Sequence, residues 1–340
     1  MMKRFTTLLV CSVLTAPAFA QTPPAANVAP VTTPDAGESA PESILVVGQR
    51  PGPGLWKVSK GDHVLWVFGT YSPLPKQLTW RSQQVESIIA QSQEYLQPPN
   101  AEPKVGIFKM VTLLPHAIGL SKLPDGKKLQ DVLPPDVYAR WLPLKAKYLG
   151  ADEDVERERP LFVSGKLYSK ALTQSGFARG FELNESILKI VKAHKLRITS
   201  TKIDFPVDDP ARLMKDFKKT QLEDGECFSR TLERIESDID AMRLRANAWA
   251  KGDLDVIKSM SFADRDGACE AAMTGHALFK GQSGLNGIEA RLEGAWIANA
   301  EKSLASNRST FARLPLKNIL DPKGYLAVLK DKGYTVESPE

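Results

Sequence analysis

Residues 55–97 constrain the fold more than any other part of the chain. The continuous apolar run of residues 64–68 follows the polar turn Lys60-Gly61-Asp62, and such a run is typical of a buried strand. We predict two strands joined by this turn, then a helix, then a third strand. The second strand ends at Gly69-Thr70 and enters a polar loop bounded by Pro73. Because such loops place side chains at the rim of a sheet, functional groups are expected there.

Strand patterns occur near both ends of the chain. Residues 309–314 and 334–337 have the composition of strands, and residues 196–205 alternate in a way that predicts a return strand. Helical patterns fill most of the sequence between the two ends. The sequence therefore predicts an α/β fold, with a mixed sheet built from N- and C-terminal strands and a largely helical middle section.

The clearest helical periodicity covers residues 228–249 and predicts one amphipathic helix that ends at Gly252. Asp238 and Asp240 are assigned to polar faces or turns, where paired carboxylates are more often solvated than catalytic. The apolar stripe consists of Leu232, Ile235, Ile239, Met242, Ala246 and Trp249.

Residues 1–20 predict a secretory signal peptide. Lys3 and Arg4 precede an apolar run, and Ala18-Phe19-Ala20 supplies a cleavage site, so cleavage is expected after Ala20. The run is too short to span a bilayer, so we expect no transmembrane segment in the mature chain and a periplasmic or secreted location. Residues 21–50 are rich in Pro and Ala and predict a disordered linker, which leaves residues 51–340 as a single domain.

The net charge and the cysteine content indicate whether the chain binds nucleic acid and whether it forms a disulfide. Removing residues 1–20 takes away two basic residues, which lowers the formal net charge from +5 to +3. That charge is too small to predict nucleic-acid binding. Cys227 and Cys269 remain in the mature chain, and an oxidising compartment favours a disulfide between them. Free buried thiols are the alternative, and metal binding is less favoured because no histidine is adjacent.

Several short motifs follow one another in the order of a known family. They are Leu55-Trp56-Lys57-Val58, Gly69-Thr70, Leu74-Pro75, Leu78-Thr79-Trp80-Arg81-Ser82, Ala248-Trp249-Ala250-Lys251-Gly252-Asp253-Leu254 and Lys332-Gly333-Tyr334-Thr335-Val336. Together they resemble the TraB/PrgY/GumN family, to which the Tiki proteases are related. The resemblance covers most of residues 55–337 and implies an α/β fold with a cleft between the end of the first long strand and the loop after the last long one. In the Tiki members it implies a metal-dependent peptidase.

The family's metal-site pattern is Gly-x-x-His after the first long strand, an acidic residue at the end of the next strand, and a second Gly-x-x-His after a late strand. By resemblance these ligand positions fall on Ser72, Gln97 and Asn318, and Pro315 takes the place of the second glycine. The chain therefore keeps the motifs around the site and differs from the family at all three ligand positions.

These differences remove the expected metal chemistry. Ser72, Gln97 and Asn318 offer neutral oxygens, which bind Zn²⁺ weakly and which suit Ca²⁺ or Mg²⁺ only together with carboxylates. Lys317 adds a positive charge beside them. No cofactor is therefore expected, and a divalent metal only if its ligands differ from the family pattern. The four histidines, His63, His116, His194 and His276, have no partner at metal-ligand spacing.

The sequence favours a non-catalytic binding or regulatory protein, a pseudoenzyme that uses the degenerate cleft. That cleft is expected to include Thr70, Ser72, Trp80, Arg81, Gln97, Arg313, Lys317 and Asn318. An arginine and a lysine beside neutral donors suit a carboxylate, as in a peptide terminus or an acidic saccharide. Trp80 could instead belong to the core, and Arg81 could simply begin a helix.

Two other functions stay open. One is a metal-dependent hydrolase, foremost a peptidase, whose ligands come from elsewhere in the fold. The other is a structural partner in an envelope assembly. Ser72 as a nucleophile would need a base within reach, and the sequence contains no G-x-S-x-G motif.

Overall fold

A computed structural model describes residues 52–178, 182–259, 265–280 and 282–339. The predicted signal peptide, residues 1–20, and the predicted linker, residues 21–50, lie outside the described residues. Within the described part of the chain, every helix is too short or too polar to cross a membrane.

The strands form one six-stranded mixed sheet and one two-stranded sheet. They are β1 Leu55–Lys60, β2 His63–Thr70, β3 Glu94–Leu96, β4 Asn100–Lys104, β5 Arg197–Thr199, β6 Lys202–Pro206, β7 Ser309–Pro315 and β8 Thr335–Glu337. The large sheet has the order β5-β3-β7-β2-β1-β8, and β4 pairs with β6. The strands β5, β3, β7 and β2 are mutually parallel, whereas β1 is antiparallel to both β2 and β8. This arrangement confirms the mixed sheet built from N- and C-terminal strands.

Helices cover the sheet and fill the middle of the chain. They are α1 Gln83–Gln91, α2 Ile107–Ala117, α3 Leu129–Val132, α4 Pro135–Tyr148, α5 Pro160–Gln174, α6 Glu182–Ala193, α7 Pro210–Lys219, α8 Gly225–Ser237, α9 Ile239–Ala250, α10 Leu254–Ser259, α11 Arg265–Thr274, α12 Ala277–Lys280, α13 Ile288–Ser306, α14 Leu316–Leu320 and α15 Tyr325–Asp331. Single 3₁₀ turns lie at Pro124–Gly126, Asp154–Arg157 and Ser283–Leu285. The largely helical middle section is confirmed.

The opening stretch forms the elements that its pattern predicts. Strand β2 is the apolar run, and it is buried because β1 and β7 flank it within the sheet. The turn between β1 and β2 has two residues, and Gly61 in it adopts φ +64°, a conformation that tight hairpin turns of this length need. Helix α1 and strand β3 follow in the predicted order.

Two predicted elements are each divided in two. The single helix predicted over residues 228–249 is α8 and α9, which meet at Asp238, where the backbone leaves helical geometry with φ −113° and ψ −2°. The return strand predicted over residues 196–205 is β5 and β6, which pair in different sheets. Between these two strands the Thr201 hydroxyl donates to the backbone carbonyls of Gln97 at 3.2 Å and Pro98 at 2.9 Å. The division at Asp238 coincides with the ion pairs of its carboxylate with Arg234 and Arg245, and the division at Thr201 coincides with its contacts to the distant segment after β3. The periodicity of apolar residues encodes neither set of contacts.

The hydrophobic core has two parts. The larger part surrounds the six-stranded sheet and contains a run of packed aromatic rings. Phe68 of β2 contacts Trp80, Trp249 and Phe311, with ring centroids 5.7, 6.1 and 6.3 Å apart. The smaller part lies among α4, α5 and α8 and includes Trp141 and Phe228. The aromatic run therefore joins the end of β2 to helix α9, and so fixes one side of the sheet's carboxyl edge.

A disulfide joins Cys227 of α8 to Cys269 of α11, as the sequence predicted. The Cα atoms are 4.4 Å apart, within the range that a disulfide spans. The bond attaches α11 to α8, and both helices contribute residues to the cavity described below.

Glu94 stabilises the packing of three parallel strands through one buried carboxylate. Arg197 and Thr199 of β5 donate to it, as does the Asn307 amide just before β7. Burial alone would raise the pKa of Glu94, but hydrogen bonds from Thr199, Arg197 and Ser303 lower it below its ordinary value. The ionised carboxylate is therefore favoured by folding.

We expect this carboxylate to make the protein less stable in acid. Because its pKa is lower in the folded state, Glu94 contributes stability above pH about 4.5, and that contribution is lost as the pH falls toward the folded pKa. Urea unfolding of wild type and Glu94→Gln should therefore differ most near neutral pH and converge in acid. Glu86→Gln, at an exposed position of α1, is the matched control and should show no such convergence. A constant difference across this pH range would contradict the prediction.

Candidate functional site

A cavity of about 550 Å³ opens at the carboxyl edge of the parallel strands. Thr70 at the end of β2 is directly paired with Pro315 at the end of β7, so the loop after β2 and helix α14 after β7 begin side by side. Loops at this edge of a parallel sheet commonly form binding sites. The described residues that line the cavity are Thr70, Tyr71, Ser72, Leu183, Asn184, Arg234, Arg245, Ile257, Lys258, Asp266, Pro315, Leu316, Lys317 and Leu320. A second cavity of about 520 Å³ adjoins it and shares Ser72, Arg234 and Asp266.

Three of the eight residues assigned to the cleft from sequence line this cavity. They are Thr70, Ser72 and Lys317. The Thr70 hydroxyl donates to the Leu314 carbonyl at 3.2 Å, so it is already engaged with the adjacent strand. Ser72 and Lys317 are exposed and approach the cavity from the loop after β2 and from α14.

The other five residues are not among the described lining residues. Arg313 donates to the side chain of Asn184, which itself lines the cavity. Trp80 belongs to the aromatic core, with its ring 5.9 Å from that of Trp249. Arg81 is exposed just before α1.

The two remaining ligand positions of the family pattern also lie apart from Ser72. The Gln97 backbone carbonyl accepts a hydrogen bond from the Trp296 indole at 3.2 Å, and β3, which Gln97 follows, is separated from β2 by β7. The Asn318 side chain hydrogen-bonds the Tyr325 hydroxyl. Neither Gln97 nor Asn318 is among the described lining residues.

A buried charged cluster at the junction of α8 and α9 forms one wall of the cavity. Arg245 donates through Nη2 to both carboxylate oxygens of Asp238 at 2.6 Å. The Nε atom of Arg234 lies 3.6 Å from the same carboxylate. Arg245, Arg234 and Asp238 are 1%, 5% and 5% exposed, so two cationic groups share one buried anion.

The burial of Asp238 corrects its assignment to a polar face or turn; Asp240 is indeed exposed. Arg234, Asp238 and Arg245 were not recognised as a site, although their spacing carried a signal. Residues 234, 238, 245 and 249 follow helical periodicity, so these charges continue the stripe that includes the buried Trp249. Since charged residues are seldom fully buried unless they are paired, charges in register with a buried stripe are candidates for an internal ion pair.

Tyr71 connects this cluster to the loop after β2. Its hydroxyl accepts a hydrogen bond from Arg245 Nε at 3.2 Å. Burial raises the pKa of the Tyr71 hydroxyl above its ordinary value, although the hydrogen bond and charge of Arg245 oppose the shift. Tyr71 therefore stays protonated at neutral pH, and its O–H remains a donor at the cavity wall.

The residues present do not fit the divalent metal of the family pattern. Within the described residues, no three His, Cys, Asp or Glu side chains lie close enough to hold a metal ion. The four histidines are all described, and none of them lines the cavity. The wall instead carries the guanidinium groups of Arg234 and Arg245, whose charge opposes that of a cation.

The arrangement suits binding of an anion better than nucleophilic chemistry. Arg234, Arg245, Lys258 and Lys317 are the cationic side chains among the described lining residues, whereas Asp266 alone is acidic. Asp266 is paired with Arg265 at 2.8 Å, which makes it a poor base for Ser72. Guanidinium and ammonium groups facing one concave space are the usual recognition elements for carboxylates.

Comparison with known proteins gives one match. A sequence model of the TraB/PrgY/gumN family matches residues 54–338. No curated protein and no solved structure matches the chain. The family match includes every described strand and every residue that lines the cavity. The chain therefore belongs to the TraB/PrgY/gumN family.

Proposed function

We propose that this protein is a non-catalytic member of its family that binds a carboxylate ligand in the cavity at the carboxyl edge of the sheet. The charge of that cavity is the observation that carries the proposal: four cationic side chains and one acidic side chain are found among its described lining residues. The buried part of this charge lies on α8 and α9, where Arg234 and Arg245 both pair with Asp238.

The remaining lining residues suggest which chemical group of the ligand lies next to its carboxylate. Leu183, Ile257, Leu316 and Leu320 provide apolar surface beside the cationic groups. Small-molecule sites combine apolar walls with a few polar groups in this way. A peptide C-terminus whose last residue is apolar carries its side chain and its carboxylate on the same Cα atom, and so fits this combination better than an acidic saccharide. On the pattern of residues 1–20 we place the protein, and this ligand, in the periplasm or outside the cell.

We expect a peptide with a free carboxylate to bind and its amide not to bind. Isothermal titration calorimetry with N-acetyl-Leu-Leu and with N-acetyl-Leu-Leu-amide tests this directly, and galacturonic acid tests the saccharide. Because Lys317 is exposed at the rim, Lys317→Ala should weaken binding of the acid by roughly fivefold without unfolding the protein. Lys330→Ala is the matched control, since Lys330 lines a neighbouring cavity and is not among the described lining residues of this one. Equal binding of acid and amide, or of neither, would contradict a carboxylate site.

Metal analysis separates this proposal from a metal-dependent hydrolase. We expect no stoichiometric zinc, manganese or cobalt in the purified protein after dialysis, and no cleavage of the peptide during titration. A retained metal that is lost on changing one of the four histidines, together with peptide cleavage, would overturn the non-catalytic proposal. Binding of the free acid without metal or cleavage would support it.

A further inference from the structure

Helix α2 exposes an apolar face to solvent. Large hydrophobic residues in this segment are exposed instead of packed: Met110 57%, Val111 63%, Leu114 64% and Ile118 76%. Leu113, which lies to one side of these residues on the helix, is buried and attaches it to the fold. Met110 and Leu114 lie four residues apart on one side of α2, and Ile118 follows directly after the end of the helix; we call these three exposed side chains the α2 face. Soluble proteins seldom cluster such residues on their surface without a binding role.

Helix α7 packs against α2 and is strongly basic. It contains Arg212, Lys215, Lys218 and Lys219 against one acidic residue, Asp216, for a net charge of +3. Arg212 pairs with Asp216 at 3.6 Å. In the part of the chain that the structure describes, no acidic side chain forms an ion pair with any of the three lysines.

Arg159 holds the basic end of α7 beside the end of the α2 face. Its guanidinium donates to the Leu120 carbonyl, two residues after Ile118, at 3.2 Å. The same group donates to the carbonyls of Phe217 at 2.7 Å and Thr220 at 2.6 Å, at the end of α7. Arg159 is 1% exposed, so this connection is rigid and internal. The end of the α2 face and the basic end of α7 are therefore within reach of one side chain.

We propose that the α2 face and the lysines of α7 dock onto an anionic lipid surface. Apolar side chains on an amphipathic helix enter the boundary between headgroups and acyl chains, and lysines beside them attract anionic headgroups. The α2 face is a convex helix surface, which suits a bilayer interface. This surface is separate from the cavity at the carboxyl edge, so the inference does not depend on the proposed ligand.

Vesicle co-sedimentation tests the proposal. The full chain should bind vesicles of phosphatidylcholine and phosphatidylglycerol and bind pure phosphatidylcholine vesicles much more weakly, and added salt should reduce binding. The variant Lys215→Gln/Lys218→Gln/Lys219→Gln should lose roughly a hundredfold in affinity for the anionic vesicles. The variant Met110→Ser/Leu114→Ser/Ile118→Ser should lose roughly tenfold or more.

The matched control is Leu142→Ser/Leu244→Ser, which removes exposed apolar side chains from α4 and α9 and should bind as wild type does. All proteins are compared in the same full-length background, so residues 1–20 contribute equally to each. Equal binding to both kinds of vesicle would overturn the proposal. So would a loss of vesicle affinity in Leu142→Ser/Leu244→Ser as large as that in the α2 and α7 variants. Self-association without vesicles that the α2 variant abolishes would also overturn it, because a second copy would then cover the α2 face.

Discussion

Replacing Arg245 with methionine should lower the free energy of unfolding by about 3 to 5 kcal/mol, because the change leaves the buried carboxylate of Asp238 without its main partner. Arg245 is 1% exposed and donates to both oxygens of that carboxylate, whereas Arg234 remains 3.6 Å from it. Urea unfolding with the disulfide intact measures the effect. The double variant Arg245→Met/Asp238→Asn should lose less than the two single changes together, since it removes both charges.

Arg230→Met is the matched control for Arg245→Met. Arg230 also pairs with carboxylates, those of Glu226 and Glu233, but on the exposed side of α8. Solvent screens such pairs, so the control should unfold nearly as wild type does. If Arg245→Met were no more destabilised than Arg230→Met, the charged cluster would not be the internal support of the cavity wall.

Local sequence pattern was sufficient for the strands that carry the site. The apolar run of β2 and the ends of β2 and β7 are encoded by neighbouring residues, so the two loops at the carboxyl edge could be located in advance. The resemblance to the family added the correspondence between Ser72 and the first ligand position. Thr70, Ser72 and Lys317, which line one side of the cavity, were identified in this way because they lie at or just after the ends of the paired strands β2 and β7.

The other side of the cavity could not be located in this way. Arg234, Arg245 and Asp266 belong to helices far along the chain, and they reach the carboxyl edge through packing and the disulfide. Asn318 shows that the direction of a side chain is also hard to predict. It follows the lining residue Lys317 by one position in α14, but its side chain hydrogen-bonds Tyr325. Alignment to a motif gives the position of a residue along the chain, whereas the direction of its side chain depends on the tertiary fold.

The division of α8 from α9 also depends on side-chain packing that the hydrophobic pattern does not reveal. An apolar stripe continues across Asp238 without interruption, so periodicity alone predicts one helix. The buried contacts of Asp238 with Arg245 and Arg234 stabilise a break that no local signal requires. The residues at this break are also the ones that give the cavity its charge, so the departure from regular helix coincides with the candidate site.

Replacing Trp249 with alanine should produce a loss of about 4 kcal/mol or more, because it empties the centre of the aromatic core. Trp249 is 1% exposed and contacts both Phe68 and Trp80. Its indole nitrogen also donates to the Gly69 carbonyl at 2.8 Å. Trp249→Phe keeps a six-membered ring, leaves that carbonyl without its donor and leaves the space of the five-membered ring unfilled, so it should lose less than Trp249→Ala but at least about 1 to 3 kcal/mol. Urea unfolding of the two variants measures both losses.

Trp66→Ala is the matched control, since Trp66 lies on the same strand as Gly69 but is only partly buried, and its loss should be clearly smaller than that of Trp249→Ala. The hydrogen bond to Gly69 connects α9 to the end of β2, from which Tyr71 and Ser72 enter the cavity. Trp249→Phe should therefore weaken binding of N-acetyl-Leu-Leu more than Trp66→Ala does, even where Trp66→Ala is the less stable of the two. If ligand affinity instead followed overall stability in both variants, Trp249 would act only as a core residue and would not position the loop after β2.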